Sequence, residues 1–245
     1  MMDTYVPFCG TPPIPAEFWT RWLFDPVLIA GLAALGALLA WRADSRRHAL
    51  AAWGLVTLLF VSPICAASMA LFSARVAQHL LLTLVAAPLL ARAMPLRGAG
   101  VLPAASLFGV LFWLWHAPPP YAATLASDAV YWLMHLSLVG AAWLMWSAIL
   151  AAIAARPHAV ALGLALTAAQ MSLLSALLVF AQSPWHAWHL LTTLPYGISP
   201  MADQHLAGAI MWVTGGALML CAVAALVRLV FRGQPGEEGD ARTPG

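Results

Sequence analysis

The sequence predicts an all-α membrane bundle of seven transmembrane helices, with the N-terminus outside and the C-terminus in the cytoplasm, and three observations carry that prediction. The 245 residues are 63% hydrophobic and only 8% charged, with a mean hydropathy of +0.86, far outside the soluble range. Apolar stretches at 26–41, 49–71, 74–94, 99–117, 128–153, 159–181 and 201–231 approach or exceed the roughly 20 residues that cross a bilayer. All eleven basic residues are Arg, and Arg near span ends is retained on the cytoplasmic side. With the N-terminus outside, the inner segments hold nine of them and the outer side only Arg21 and Arg75.

Taken in order, residues 1–25 form an outer tail, rich in Pro, that leans Phe18, Trp19 and Trp22 on the interface. A transmembrane domain covers 26–231. Its first span is short, but Trp22, Leu23 and Phe24 on one side and Trp41 on the other extend it into the interfacial belts. Residues 232–245, "RGQPGEEGDARTPG", read as a disordered cytoplasmic tail. The start "MMDTYVPFCGTPPIPAEF" lacks the basic n-region and apolar centre of a signal peptide.

Several function classes fall away. The chain has no Lys, which removes a retinal Schiff base. Its cysteines, Cys9, Cys65 and Cys221, make neither CxxC nor CxxCH, so thiol oxidoreductase and covalent c-type haem chemistry are not expected. No nucleophile elbow is present, no enzymatic activity is expected, and the partners implied are the lipid bilayer and membrane proteins, with no nucleic acid.

Histidine is informative, because polar groups inside spans are costly and face the bundle interior or a water-filled cavity. Six of eight map to the outer side: His79, His116, His135, His186, His189 and His205. His79, His135 and His205 lie five to seven residues past Ser73, Asp128 and Pro200, which at 1.5 Å per residue is roughly 8 to 10 Å below each helix start. Three imidazoles from three helices can therefore share one layer.

Soft donors occupy the same outer half. Ser62, Cys65 and Met69 repeat at helical spacing on span two, Met201, His205, Gly208 and Trp212 on span seven, and Asp128 shares a face with His135 on span five. Imidazole with thioether or thiol suits copper. The plain alternative is packing: Met69, Met211 and Cys65 at helical spacing are ordinary core residues, and a lone intramembrane His is often an interhelical hydrogen-bond donor.

"LFSARVAQHLLLTLVAAPLLA" (71–91), "FWLWHAPPPYAATLASDAVYWLMHLSL" (112–138) and "ISPMADQHLAGAIMWVTGG" (198–216), with "WLFDPVLIAG" as a weaker fourth block, resemble the signature blocks of the polytopic CtaG family of cytochrome c oxidase assembly factors. That family is distinct from the single-span copper chaperone of the same name. The resemblance implies a non-enzymatic role in maturing haem-copper oxidase by handling copper at the outer face of the bacterial cell (inner) membrane. Oxidase subunits and a periplasmic copper chaperone are the implied partners, and Gln78, His79, His116, Asp128, His135, Asp203 and Gln204 the implied functional positions. Arg75 and Val76 stand where members carry a His-Met pair, and His205 where they often carry Gln.

Metal ligands are thus expected at His79, His116, His135 and His205, with His186, His189, Met201, Cys65 and Met69 in secondary roles and Gln78, Asp128, Asp203 and Gln204 in support. Ser199 and Pro200 start span seven, and Asp203 is expected to interact with that helix's own dipole, worth about 0.5–1 kcal/mol. Gln204 and His205 are expected to complete or orient the imidazole site. Three alternatives stand beside copper handling: a haem-binding protein with bis-His ligation, a copper permease, and a metal-free assembly scaffold. The permease is the weakest, since the inner halves offer little beyond Ser147, Thr167 and Gln170.

Overall fold

The computed structural model describes residues 5–232 and contains no strand among them. Eleven α-helices are present: α1 (Pro26–Arg42), α2 (Arg46–Val61), α3 (Pro63–Ala70), α4 (Phe72–Leu81), α5 (Ala87–Ala93), α6 (Val101–His116), α7 (Pro118–Thr124), α8 (Asp128–Ala152), α9 (Pro157–Phe180), α10 (His189–Thr192) and α11 (Pro200–Arg232). A π-type turn, Leu82–Ala86, joins α4 to α5. Four helical stretches are long and apolar enough to cross a membrane, or up to six if α2 with α3 and α6 with α7 each count as one bent span, while α1 is apolar but only 17 residues long. The expected cytoplasmic tail beyond Arg232 lies outside the described residues.

Prolines place the breaks. The apolar run expected as one span over 49–71 bends by 53° between α2 and α3, because Pro63 has no N–H to offer the carbonyl of Leu59 and its ring crowds that turn. The freed Leu59 carbonyl accepts instead from Gln78 Nε2 at 2.9 Å, so the break in one span is stitched to the next. Pro88 acts similarly. The Ala87 N–H reaches back five residues to Leu82, and Pro88 cannot bond the Thr83 carbonyl in the same register. Trp146 Nε1 of α8 donates to that carbonyl at 3.0 Å.

Packing rests on close approaches by small residues, as expected where lipid removes the hydrophobic drive between helices. The core of the bundle runs through α4, α6, α8, α9 and α11, with α1 and α2 to one side. A Cβ on Gly208 of α11 would lie 3.0 Å from the Ser175 carbonyl of α9, and one on Gly163 of α9 would lie 2.6 Å from a Val101 methyl of α6. Trp41, Val110, Leu136 and Phe231 point outward, each more than 60% exposed, as a lipid-facing surface requires.

The first part of the N-terminal tail is folded down onto the bundle, while Trp19 and Trp22 further along it stay exposed. Cys9 is disulfide-bonded to Cys65 of α3. Phe8 stacks on Tyr131 of α8 at 5.3 Å, Tyr5 donates to Asp128, and the Pro13 carbonyl accepts from Tyr196. Burial and the neighbouring Asp128 carboxylate push the Tyr5 hydroxyl up to about 12.

Candidate functional site: a buried histidine cluster

Three helices bring three imidazoles together in the bundle core: His79 from α4, His116 from the end of α6 and His135 from α8. The His79 ring centre is 5.1 Å from that of His135 and 6.3 Å from that of His116. The rings are held by their own helices. His135 Nδ1–H donates to the Tyr131 carbonyl at 3.0 Å and His116 Nδ1–H to the Phe112 carbonyl at 2.7 Å, which leaves Nε2 of each neutral ring as the lone-pair nitrogen. Nε2 of His79 and of His135 is buried with no hydrogen-bond partner. A buried imidazole nitrogen left bare is costly, so these two atoms call for a ligand.

Beside His79 and His116 lies a cavity of about 10 Å³ whose wall includes Met171 of α9 and Met211 of α11, room for one water or one ion. Met171 fits there because Gly215 faces it: a Cβ on Gly215 would lie 2.8 Å from the Met171 methyl. Two imidazoles and two thioethers around a one-atom space form a soft, neutral donor set of the kind Cu(I) accepts. With each nitrogen about 2 Å from an ion, two imidazoles on one tetrahedral metal have ring centres about 5 Å apart, and on a linear one about 6 Å. Both observed separations lie near that range. No three His, Cys, Asp or Glu side chains among the described residues are placed to hold one ion by themselves, so a metal here would rely on the thioethers.

The remaining expected residues do other work. Gln78 ties α4 to the break in α2, as above. Asp128 is exposed and bonded to Tyr5. Asp203 does not serve its own helix alone: its carboxylate is fully buried and accepts from Phe72 N–H at 2.6 Å, Ser73 N–H at 3.2 Å and the Ser73 hydroxyl, capping α4 from across the bundle. Ser199 caps α11 through Ala202 N–H at 3.1 Å. Gln204 Oε1 accepts from Trp185 N–H at 2.7 Å, fastening the α9–α10 loop rather than orienting an imidazole. His205 stands apart, its ring stacked on no other ring among the described residues. Cys65, expected as a soft donor, is taken up by the disulfide, and Met69, fully buried, offers its carbonyl to Trp188 Nε1. Met201 sits beside Gln204 Nε2, at 4.0 Å.

His186 and His189 are buried, not presented on an open loop. His186 stacks on Tyr121 at 3.8 Å. His189 Nε2 accepts from the Tyr121 hydroxyl at 2.7 Å, while its Nδ1–H lies 3.3 Å from the Ala70 carbonyl. Burial pushes both imidazoles down to about 3. Arg75, unremarkable in the sequence beyond its departure from the His-Met pattern, is 1% exposed one helical turn before His79. Burying such a side chain in a bilayer costs at least about 2.5–3.5 kcal/mol.

A helical membrane protein with a buried histidine cluster is the class these features define. The sequence model of the cytochrome c oxidase caa3 assembly factor family (Caa3_CtaG) matches residues 99–233. That is more than half of the chain, and the protein belongs to this family of oxidase assembly factors. No curated protein and no solved structure matches the chain.

Proposed function

We propose that this assembly factor handles copper for cytochrome c oxidase in the outer half of the membrane, holding it as Cu(I) between His79, His116, Met171 and Met211 with His135 alongside. The observation that carries the reading is a one-atom cavity lined by His79, His116 and two methionines, with the bare Nε2 of His79 on its wall and the bare Nε2 of His135 on a ring 5.1 Å from that of His79. Copper is cargo in this account. A neutral donor set binds a monovalent ion without burying further charge and lets it go to a receptor richer in donors. The role is non-catalytic, and oxidase subunits are its receptors, with a periplasmic copper chaperone as donor.

Seven spans with the N-terminus outside fit this role, with α1, α2–α3, α4–α5, α6, α8, α9 and α11 as the spans, 1–25 as an outer segment, 26–231 as the membrane domain and 232–245 as a cytoplasmic tail. The Cys9–Cys65 disulfide supports the orientation, since such bonds persist in oxidising compartments and are rare in the cytosol. The Arg distribution supports it independently. Bis-His haem draws less support. The large apolar groove of about 480 Å³ between α1, α2 and α8 has one imidazole, His135, in its wall, the His79 and His135 rings stand too close to sandwich a porphyrin, and the cavity of about 10 Å³ beside His79 and His116 has no room for one. A metal-free scaffold predicts the same phenotype on deletion, so the separating experiment measures copper in the oxidase. A deletion strain complemented with the His79→Ala protein should assemble oxidase subunits that lack copper, whereas oxidase with its full copper content would leave the scaffold reading in its place.

A further inference from the structure

Toward the end of the bundle away from the histidine cluster, a groove of about 340 Å³ opens between α2, α5, α8 and α11. Most of its wall is apolar: Leu84, Leu89, Leu150 and Leu226 line it, and so does Trp146, whose Nε1 is taken up by the Thr83 carbonyl. From Leu84 to Arg92 the wall runs eight residues along the chain, about 12 Å at 1.5 Å per residue. That is most of the depth of one leaflet, in a hydrocarbon core about 30 Å thick. One end of the groove differs. Arg92, exposed in the last turn of α5, and His48, half-buried in the first turn of α2, line it there.

The backbone holds this cationic end in place. Asp44 N–H donates to the Ala93 carbonyl at 2.7 Å, which sets the turn between α1 and α2 against the end of α5. Ser45 Oγ lies 2.8 Å from His48 Nδ1 and so leaves Nε2 for another partner, while Arg47 is near enough to act on His48 electrostatically. Counter-charge is scarce. The first turn of α2 holds no acidic residue, and Asp44 is the one carboxylate at this end among the described residues. It pairs with no Arg, since the one ion pair among those residues is Arg21 with Glu17.

We propose that this groove is a binding site for an anionic phospholipid, with an acyl chain against the leucines and the phosphate at Arg92 and His48. An apolar trough that ends in uncompensated cations is complementary to a molecule divided in the same way. A long Arg side chain near a helix end reaches toward the headgroup level, and its planar fork suits a pair of phosphate oxygens. Free phosphate would use only the cationic end and a zwitterionic lipid chiefly the apolar wall, whereas an anionic phospholipid uses both. The site rests neither on the copper reading nor on which leaflet holds this end of the bundle.

The full chain, purified in a neutral detergent and stripped of lipid, provides the test by native mass spectrometry with phosphatidylglycerol and phosphatidylethanolamine of identical acyl chains. The wild type should retain phosphatidylglycerol in preference by about fivefold or more, the factor one Arg near an anionic surface supplies. Arg92→Gln should lose that preference, while Arg156→Gln, changed at the same end but outside the groove wall, should keep it. Ala222→Phe, which adds bulk to the apolar wall, should lower retention of both lipids. Equal retention of the two lipids by the wild type, the result expected if the groove takes up bulk lipid without choice, overturns the proposal. So does a preference in Arg92→Gln as large as that of the wild type, or phosphatidylglycerol retention unchanged in Ala222→Phe.

Discussion

Asp203→Ala should destabilise the bundle severalfold more than a helix-dipole interaction would. The carboxylate accepts three hydrogen bonds, all from the first turn of α4, and Phe72 and Ser73 are buried. Counted at the average of about 0.6 kcal/mol measured for hydrogen bonds within bilayers, three bonds give about 2 kcal/mol. Counted as bonds to a charged acceptor whose loss strands buried donors, at about 1.5–3 kcal/mol each, they give about 5 kcal/mol or more. Two of the three groups stranded are N–H donors at a helix start that have no intrahelical alternative, while the Ser73 hydroxyl can turn to another acceptor, which favours a value of about 3 kcal/mol, between the two. Asp203→Asn keeps one oxygen in place and should cost roughly 1 kcal/mol. Reversible unfolding in mixed micelles, followed by tryptophan fluorescence, measures both. A loss below about 1 kcal/mol for Asp203→Ala would match the dipole of its own helix alone and refute the cross-bundle cap.

Acid should destabilise the protein through His186 and His189, each pushed down to about 3 from 6.5. The unfolded chain binds these protons first, so stability should be flat above pH 6.5 and fall toward pH 3 by up to about 1.4 kcal/mol per pH unit for each imidazole; a His186→Gln, His189→Gln protein with an unchanged pH profile would contradict this. Reduction of the Cys9–Cys65 disulfide should release the N-terminal tail and cost up to about 4 kcal/mol, visible as a reductant-dependent drop in Tm that is missing in Cys65→Ser. In a Cys221→Ser background, an impermeant thiol reagent on intact cells should label Ala187→Cys and miss Asp44→Cys, and the opposite pattern would invert the topology.

Composition and periodicity made the helical membrane fold legible, because hydropathy reports directly on the solvent a segment can tolerate. The proline breaks were in the sequence too, yet Pro63 and Pro88 sit inside apolar runs that read as continuous at span length. Their consequences depend on which neighbour repairs the freed carbonyl, and nothing in the spacing couples Gln78 to Leu59 or Trp146 to Thr83. Depth along each helix pointed to His79 and His135 as one layer. It also admitted His205, whose Nε2 is likewise buried without a partner but whose ring meets neither His79 nor His135. The reverse error befell Met171: a thioether in a Leu- and Ala-rich span carries no signal until α9 is set against α4 and α11. Asp203 shows the same limit, since a carboxylate in a first turn suits its own helix and another helix's start equally well from sequence. Cys9 and Cys65, 56 residues apart, gave no spacing signal of pairing.

Copper quantification on detergent-purified protein, loaded with Cu(I) under a competing chelator, bears most directly on the account. Wild-type protein should retain copper in stoichiometric amount. His79→Ala and the Met171→Leu, Met211→Leu protein should each lose it, with the His79→Ala, His135→Ala double variant little worse than His79→Ala alone, because one missing ligand already disables the site. His205→Gln should retain copper as the wild type does. Wild-type protein that takes up no copper, or variants that hold as much as the wild type, would contradict the account.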